Sequence, residues 1–147
     1  MARLAFCVSV RPMLTTPRLR LAVALLGGFF ALQGLGWIVV PTTAADGLGM
    51  PLLDGLGRST QIGDFAAFFL VGGLTMVLGS RPGRAHWLRF PAALLGAAAI
   101  VRTLAWLLHG ADFATLFIAV EVASSALLLH ASSRLGGSDP LPSAGHQ

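Results

Sequence analysis

Arg102 and Glu121 are the residues of this chain whose types and spacing invite chemistry. Each lies inside an otherwise apolar run, Phe90 to Leu108 and Phe113 to Leu129. A charge near the centre of a bilayer costs about 2.5 to 3.5 kcal/mol on insertion scales, so such residues turn toward protein or a water-filled cavity. The short segment around Gly110 makes the two runs an antiparallel hairpin, which lets their depths be compared. Arg102 is seven residues below His109, about 10 Å, and Glu121 is nine below Asp112, about 13 Å. They lie level to within a helical turn, where a guanidinium can give a carboxylate two parallel hydrogen bonds.

Two further polar groups belong to the same depth. Gln33 lies seven residues inside Val40, and Asp64 lies at the start of the apolar block Ile62 to Leu78. Gln33, Asp64, Arg102 and Glu121 are thus expected to form one layer, with one group from each of four helices. Arg102, Trp106 and His109 share a helical face, and Arg58 with Asp64 straddles the start of the second block. Arg58, Trp106 and His109 are therefore expected at the rim of a polar pocket. A plainer reading stays open. The Arg102–Glu121 pair can fix helix register, with Gln33 bonding a neighbouring backbone and Asp64 complementing a helix N-terminus.

The elements that must hold these groups follow from composition. Of 147 residues, 55% are hydrophobic and 11% charged, with a mean hydropathy of +0.78. A soluble domain carries about 25% charged residues; the surplus apolar surface here must face lipid. The expected fold is all-α, a four-helix transmembrane bundle with spans at about 21–40, 62–78, 90–108 and 113–129. A 1–20 segment precedes the 21–131 membrane domain, and a disordered 132–147 tail rich in Gly, Ser and Pro follows it. The second block is short and needs a slightly thin membrane or flanking residues.

Arginine placement sets the orientation. Arg3, Arg11, Arg18 and Arg20 precede span one, Arg81, Arg84 and Arg89 separate spans two and three, and Arg134 follows span four. Asp46, Asp54 and Asp112 fall in the other loops. Both termini are expected in the cytoplasm of a bacterium, with the chain in the inner (plasma) membrane. Trp37 and Trp106 are then expected as anchors at the outer interface and Trp87 at the inner one.

The first outer loop repeats an Asp-Gly-Leu-Gly motif at Asp46 and Asp54. Two Asp-Gly turns around the apolar Met50-Pro51-Leu52-Leu53 strip point to a segment in the headgroup layer or folded over the bundle mouth. Ser59 or Thr60 is the expected cap of the following helix. Gly63 with Ala67, Ala92 with Gly96 and Ala119 with Ala123 have the spacing of close helix packing.

Several chemistries find little support. The scattered arginines form no nucleic-acid-binding stripe. Cys7 alone makes no disulfide or CxxC motif. His86 and His130, both at the inner ends of their spans, are read as interfacial residues rather than ligands of a shared haem. No nucleophile–base pair or metal cluster points to an enzyme, and no metal or cofactor is expected.

The first span ending in Trp37 to Pro41, the GRSTQIGDFAAFF run at Gly57 to Phe69, the Val101-Arg102-Thr103-Leu104 stretch and Glu121 resemble a small bacterial four-helix membrane family of the domain-of-unknown-function type. The resemblance implies an inner-membrane bundle and no particular activity. Three functional classes remain: a non-catalytic accessory protein or subunit of a larger complex; a small dimeric transporter using Glu121; and a DoxX-like redox or quinone-associated protein. Expected partners are the lipid bilayer and a second copy or a larger membrane complex.

Overall fold

The structure, a computed structural model, describes residues 16–137. The N-terminal arginines Arg3 and Arg11, Cys7 and the last ten residues of the expected tail lie outside the described residues. The order is α1 (Thr16–Val39), α2 (Pro41–Gly47), α3 (Gly55–Gly79), a 3-10 turn (Ala85–Leu88), α4 (Arg89–His109) and α5 (Thr115–Gly136). α1, α3, α5 and the helical unit running through the 3-10 turn into α4 are each long and apolar enough to cross a membrane. The protein is an all-α, four-helix, multi-pass membrane protein. An even number of long helices brings the start of α1, the α3–α4 connection and the end of α5 to one end of the bundle, the base. The α1–α3 loop and the Gly110 turn form the other end, the mouth.

Helices reach beyond the apolar runs. α3 begins seven residues before Ile62, taking in Arg58 to Gln61, and α5 ends at Gly136 rather than Leu129. Apolarity marks the stretch that meets hydrocarbon, whereas the backbone goes on making intrahelical bonds in the interfacial layer. At 25 residues, about 37 Å, α3 has no need of a thin membrane. The expected disordered tail accordingly loses Ser132 to Gly136, and Ser132 and Leu135 are buried against the bundle.

The seams explain which faces turn inward. α1 buries Leu19, Val23, Gly27, Phe30, Gly34 and Trp37, and α5 buries Glu121, Ser124, Leu128, Ala131 and Leu135, both at the alternating three- and four-residue spacing of left-handed helix packing. Two pairs result, α1 on α3 and α4 on α5. In the first, backbones touch: a β-carbon on Gly27 would come within 2.8 Å of Gly73 O, and one on Gly34 within 2.7 Å of Leu70 N. Only glycine permits that approach. Gly63, expected at such a contact, faces open space. In the second pair, Ser125 Oγ donates to Ala92 O at 2.8 Å and lies opposite Gly96, so the Ala92–Gly96 step does sit at a close approach.

At the base the pairs are sewn together. Leu19, Val23, Met76, Leu88, Leu95, Leu128 and Leu135 form one buried core, and Leu88 of the 3-10 turn packs onto the bare backbone of Gly79. Arg20 Nη1 donates to Ser80 O at 2.8 Å.

Toward the mouth a second cluster holds Trp37, Ala45 and Ala66 with Leu48, Met50 and Leu52 packed against it. The apolar strip of the first loop therefore folds over the bundle. Trp37 corrects its expected interfacial role: it is 1% exposed and stacks on Phe65 at 4.7 Å and 13°. It occupies the inward stripe of α1, three residues beyond Gly34, whose missing side chain brings α3 within reach. Trp87 and Trp106 are exposed.

Candidate functional site

Between the two helix pairs, toward the mouth, lies a cleft of about 610 Å³, within the range of small-molecule sites. α1 supplies Phe29, Phe30 and Gln33; α3 supplies Asp64, Phe65, Phe68 and Phe69. α4 gives Leu95, Ala98, Val101 and Arg102, α5 gives Leu116, Phe117, Val120 and Glu121, and Gly47 with Leu48 closes the top. The four residues expected in a common layer all line this one cavity. Phe29, Val101, Leu116 and Val120 are also exposed on the outside of the bundle, so the lining continues into the lipid-facing surface.

Glu121 faces inward because of register. It lies seven and fourteen residues before Leu128 and Leu135, on the stripe that α5 buries. Its side chain is 10% exposed against 35% for Arg102, and Arg102 Nε donates to Glu121 Oε1 at 2.8 Å. The depth match read from the hairpin is thus a direct bond. It is one bond rather than the expected parallel two. The guanidinium carbon lies 5.0 Å from the centre of the Phe117 ring, a cation–π contact that sets the guanidinium's position from the side. Glu121 Oε2 is left buried without a hydrogen-bond partner. An orphaned buried carboxylate oxygen is costly, which marks this atom as the least satisfied in the cleft.

Gln33 and Asp64 line the cleft with no hydrogen bond or ion pair to the described residues. Gln33 does not bond a neighbouring backbone. Asp64 is nine residues inside α3, too deep to complement the helix N-terminus, because α3 starts at Gly55. Both polar ends are therefore available to a guest.

The expected rim is different. Arg58 Nη2 pairs with Asp54 Oδ1 at 2.7 Å within an exposed turn and donates from Nε to Leu53 O, so it fastens the loop instead of closing the pocket. Trp106 packs edge-on against Phe113 at 5.1 Å across the α4–α5 turn. His109 ends α4 in an exposed position, before the left-handed Gly110 cap. Neither lines the cleft, because the last turn of α4 packs on its own connection and not on α1 or α3. His86 and His130 are both exposed and do not line the cleft. No group of three or more His, Cys, Asp or Glu able to hold a metal ion occurs among the described residues.

One functional contact escaped the sequence. Gln61 is buried; its Oε1 accepts from Leu53 N at 2.9 Å and its Nε2 donates to Pro51 O at 3.1 Å. This clamp pins the loop whose Leu48 roofs the cleft. Neither Ser59 nor Thr60 caps α3: Thr60 Oγ donates back to Leu56 O, and Asp54 stands at the N-cap with its carboxylate turned to Arg58 and no side-chain capping bond. A glutamine at the top of an apolar helix, eight residues after a proline-containing strip, was the available signal.

The chain matches no protein-family model, no curated protein and no solved structure.

Proposed function

We propose that this protein is a non-catalytic integral protein of a bacterial inner membrane, with both termini in the cytoplasm, that holds an amphipathic small molecule in the aromatic cleft. The observation that carries this reading is the convergence of Gln33, Asp64, Arg102 and Glu121 on one cavity otherwise lined by apolar side chains. A few polar groups that orient a guest among many apolar contacts is the usual composition of a binding site. A register-fixing pair accounts for Arg102 and Glu121, but not for the space beside them. The arginine distribution supports the orientation, because the α3–α4 connection at the base carries Arg81 and Arg84 while the mouth carries Asp46, Asp54 and Asp112.

Binding in an accessory role is favoured over transport by the base. The core from Leu19 to Leu135 closes the bundle below the cleft, so this arrangement offers no path across the membrane within one chain. The direct test replaces Arg102 and Glu121 together by leucine. The double variant is expected to fold and to lose saturable binding of aromatic amphiphiles in lipid nanodiscs, read by the fluorescence of Trp37, which stacks on the cleft residue Phe65. A double variant that binds as the wild type does would reduce the pair to a structural device.

A further inference from the structure

We infer that the cleft selects a lipophilic cation. This rests on the binding reading above and specifies the chemistry of the guest. Three charged side chains line the cavity, Asp64, Glu121 and Arg102, so the walls carry an excess of one negative charge. The arginine gives its Nε–H to Glu121 Oε1 and lies beside the Phe117 ring, while its Nη groups make no hydrogen bond among the described residues. The exposed Asp64 carboxylate has no hydrogen bond or ion pair among the described residues, and Glu121 Oε2, covered by surrounding side chains and without a hydrogen-bond partner, can act on a guest only through its charge. Gln33 adds an uncommitted amide oxygen.

The apolar lining has the same preference. Phe29, Phe30, Phe65, Phe68, Phe69 and Phe117 face the cavity from three helices. Ring faces attract cations, most strongly where water is excluded. An anion would find donors at the Arg102 Nη groups and the Gln33 amide, but would face two carboxylates against a single guanidinium. A delocalised or bulky organic cation suits both the charge and the rings, and its apolar body can enter from lipid along Phe29, Leu116 and Val120.

The test uses the full chain in zwitterionic nanodiscs and three probes of similar bulk: tetraphenylphosphonium, tetraphenylborate and neutral triphenylphosphine oxide. Equilibrium dialysis against empty nanodiscs measures binding to protein alone. Tetraphenylphosphonium is expected to bind saturably, and the borate, measured in a separate dialysis, not to. Asp64→Asn, a change at an exposed position that leaves the core untouched, should weaken the cation about tenfold, the equivalent of about 1.4 kcal/mol, and leave the neutral probe unchanged. Glu121→Gln should weaken it at least as much. If the neutral probe or the borate binds as tightly as the cation, or Asp64→Asn has no effect on the cation, the cation assignment is overturned while binding in the cleft stands. If no probe binds above empty nanodiscs, both readings fall.

Discussion

At the base of the bundle, leucines from α1, the 3-10 turn, α4 and α5 meet Met76 of α3 in a core with almost no exposed surface; directly above it, from Phe30 and Leu95 onward, the same helices part around a cleft that would hold a drug-sized molecule. Both regions use the same seams. What changes is the side chain placed on them. On α5, Leu128 and Leu135 fill the space between helix pairs, while one heptad earlier Glu121 bonds Arg102 of its own pair and the space toward α1 and α3 stays open. The pairs stay parted where the inward stripe of α5 carries a short polar contact within its own pair, and they meet where that stripe carries leucine.

The contrast can be broken most severely where backbone meets backbone. Gly73→Leu is expected to prevent stable assembly of α1 on α3, since even a β-carbon at that position collides with the backbone of Gly27 and Ala31; loss of the folded fraction in a denaturant titration would show it. Leu128→Ala at the base should destabilise by about 3 kcal/mol, within the range for deleting a fully buried leucine. Glu121→Leu alone should cost on the order of 2 kcal/mol, because Arg102 is left without its carboxylate but keeps partial exposure. Adding Arg102→Leu should recover most of that loss. Phe68→Ala, in the cleft wall, should change stability by less than about 1 kcal/mol, since a partly exposed ring beside open space leaves little new cavity. The same titration ranks all four, and equal costs for Leu128→Ala and Phe68→Ala would erase the distinction between the two ends.

The fold was largely legible because lipid imposes a simple rule on composition: four long apolar runs separated by charged loops leave few arrangements. The inward layer was legible for the same reason, as isolated polar groups in apolar helices have only the interior to face. Arg102 and Glu121 could even be levelled by counting from the Gly110 turn. The rim was not. Arg58, Trp106 and His109 stand at helix ends, where helical periodicity no longer determines neighbours and short-range partners such as Asp54 and Phe113 capture them. Trp37 misled for a related reason: a tryptophan near a span end usually marks the interface, and only the glycine pairing of α1 with α3 shows that this one is covered. The Gln61 clamp depends on a loop path that no periodicity encodes.

The glycine contact also has a mechanical meaning. With their backbones locked at Gly27, Gly34 and Gly73, α1 and α3 behave as one stiff arm, and the α4–α5 hairpin is the other. The arms are joined chiefly at the end where Leu88 sits on Gly79, a fulcrum with neighbouring leucines as its bearing. On an arm of about 30 Å, a lean of about 5° at that fulcrum moves the free tip by roughly 2.6 Å. The molecule is built like a pair of tongs, joined at the opposite end from its cleft.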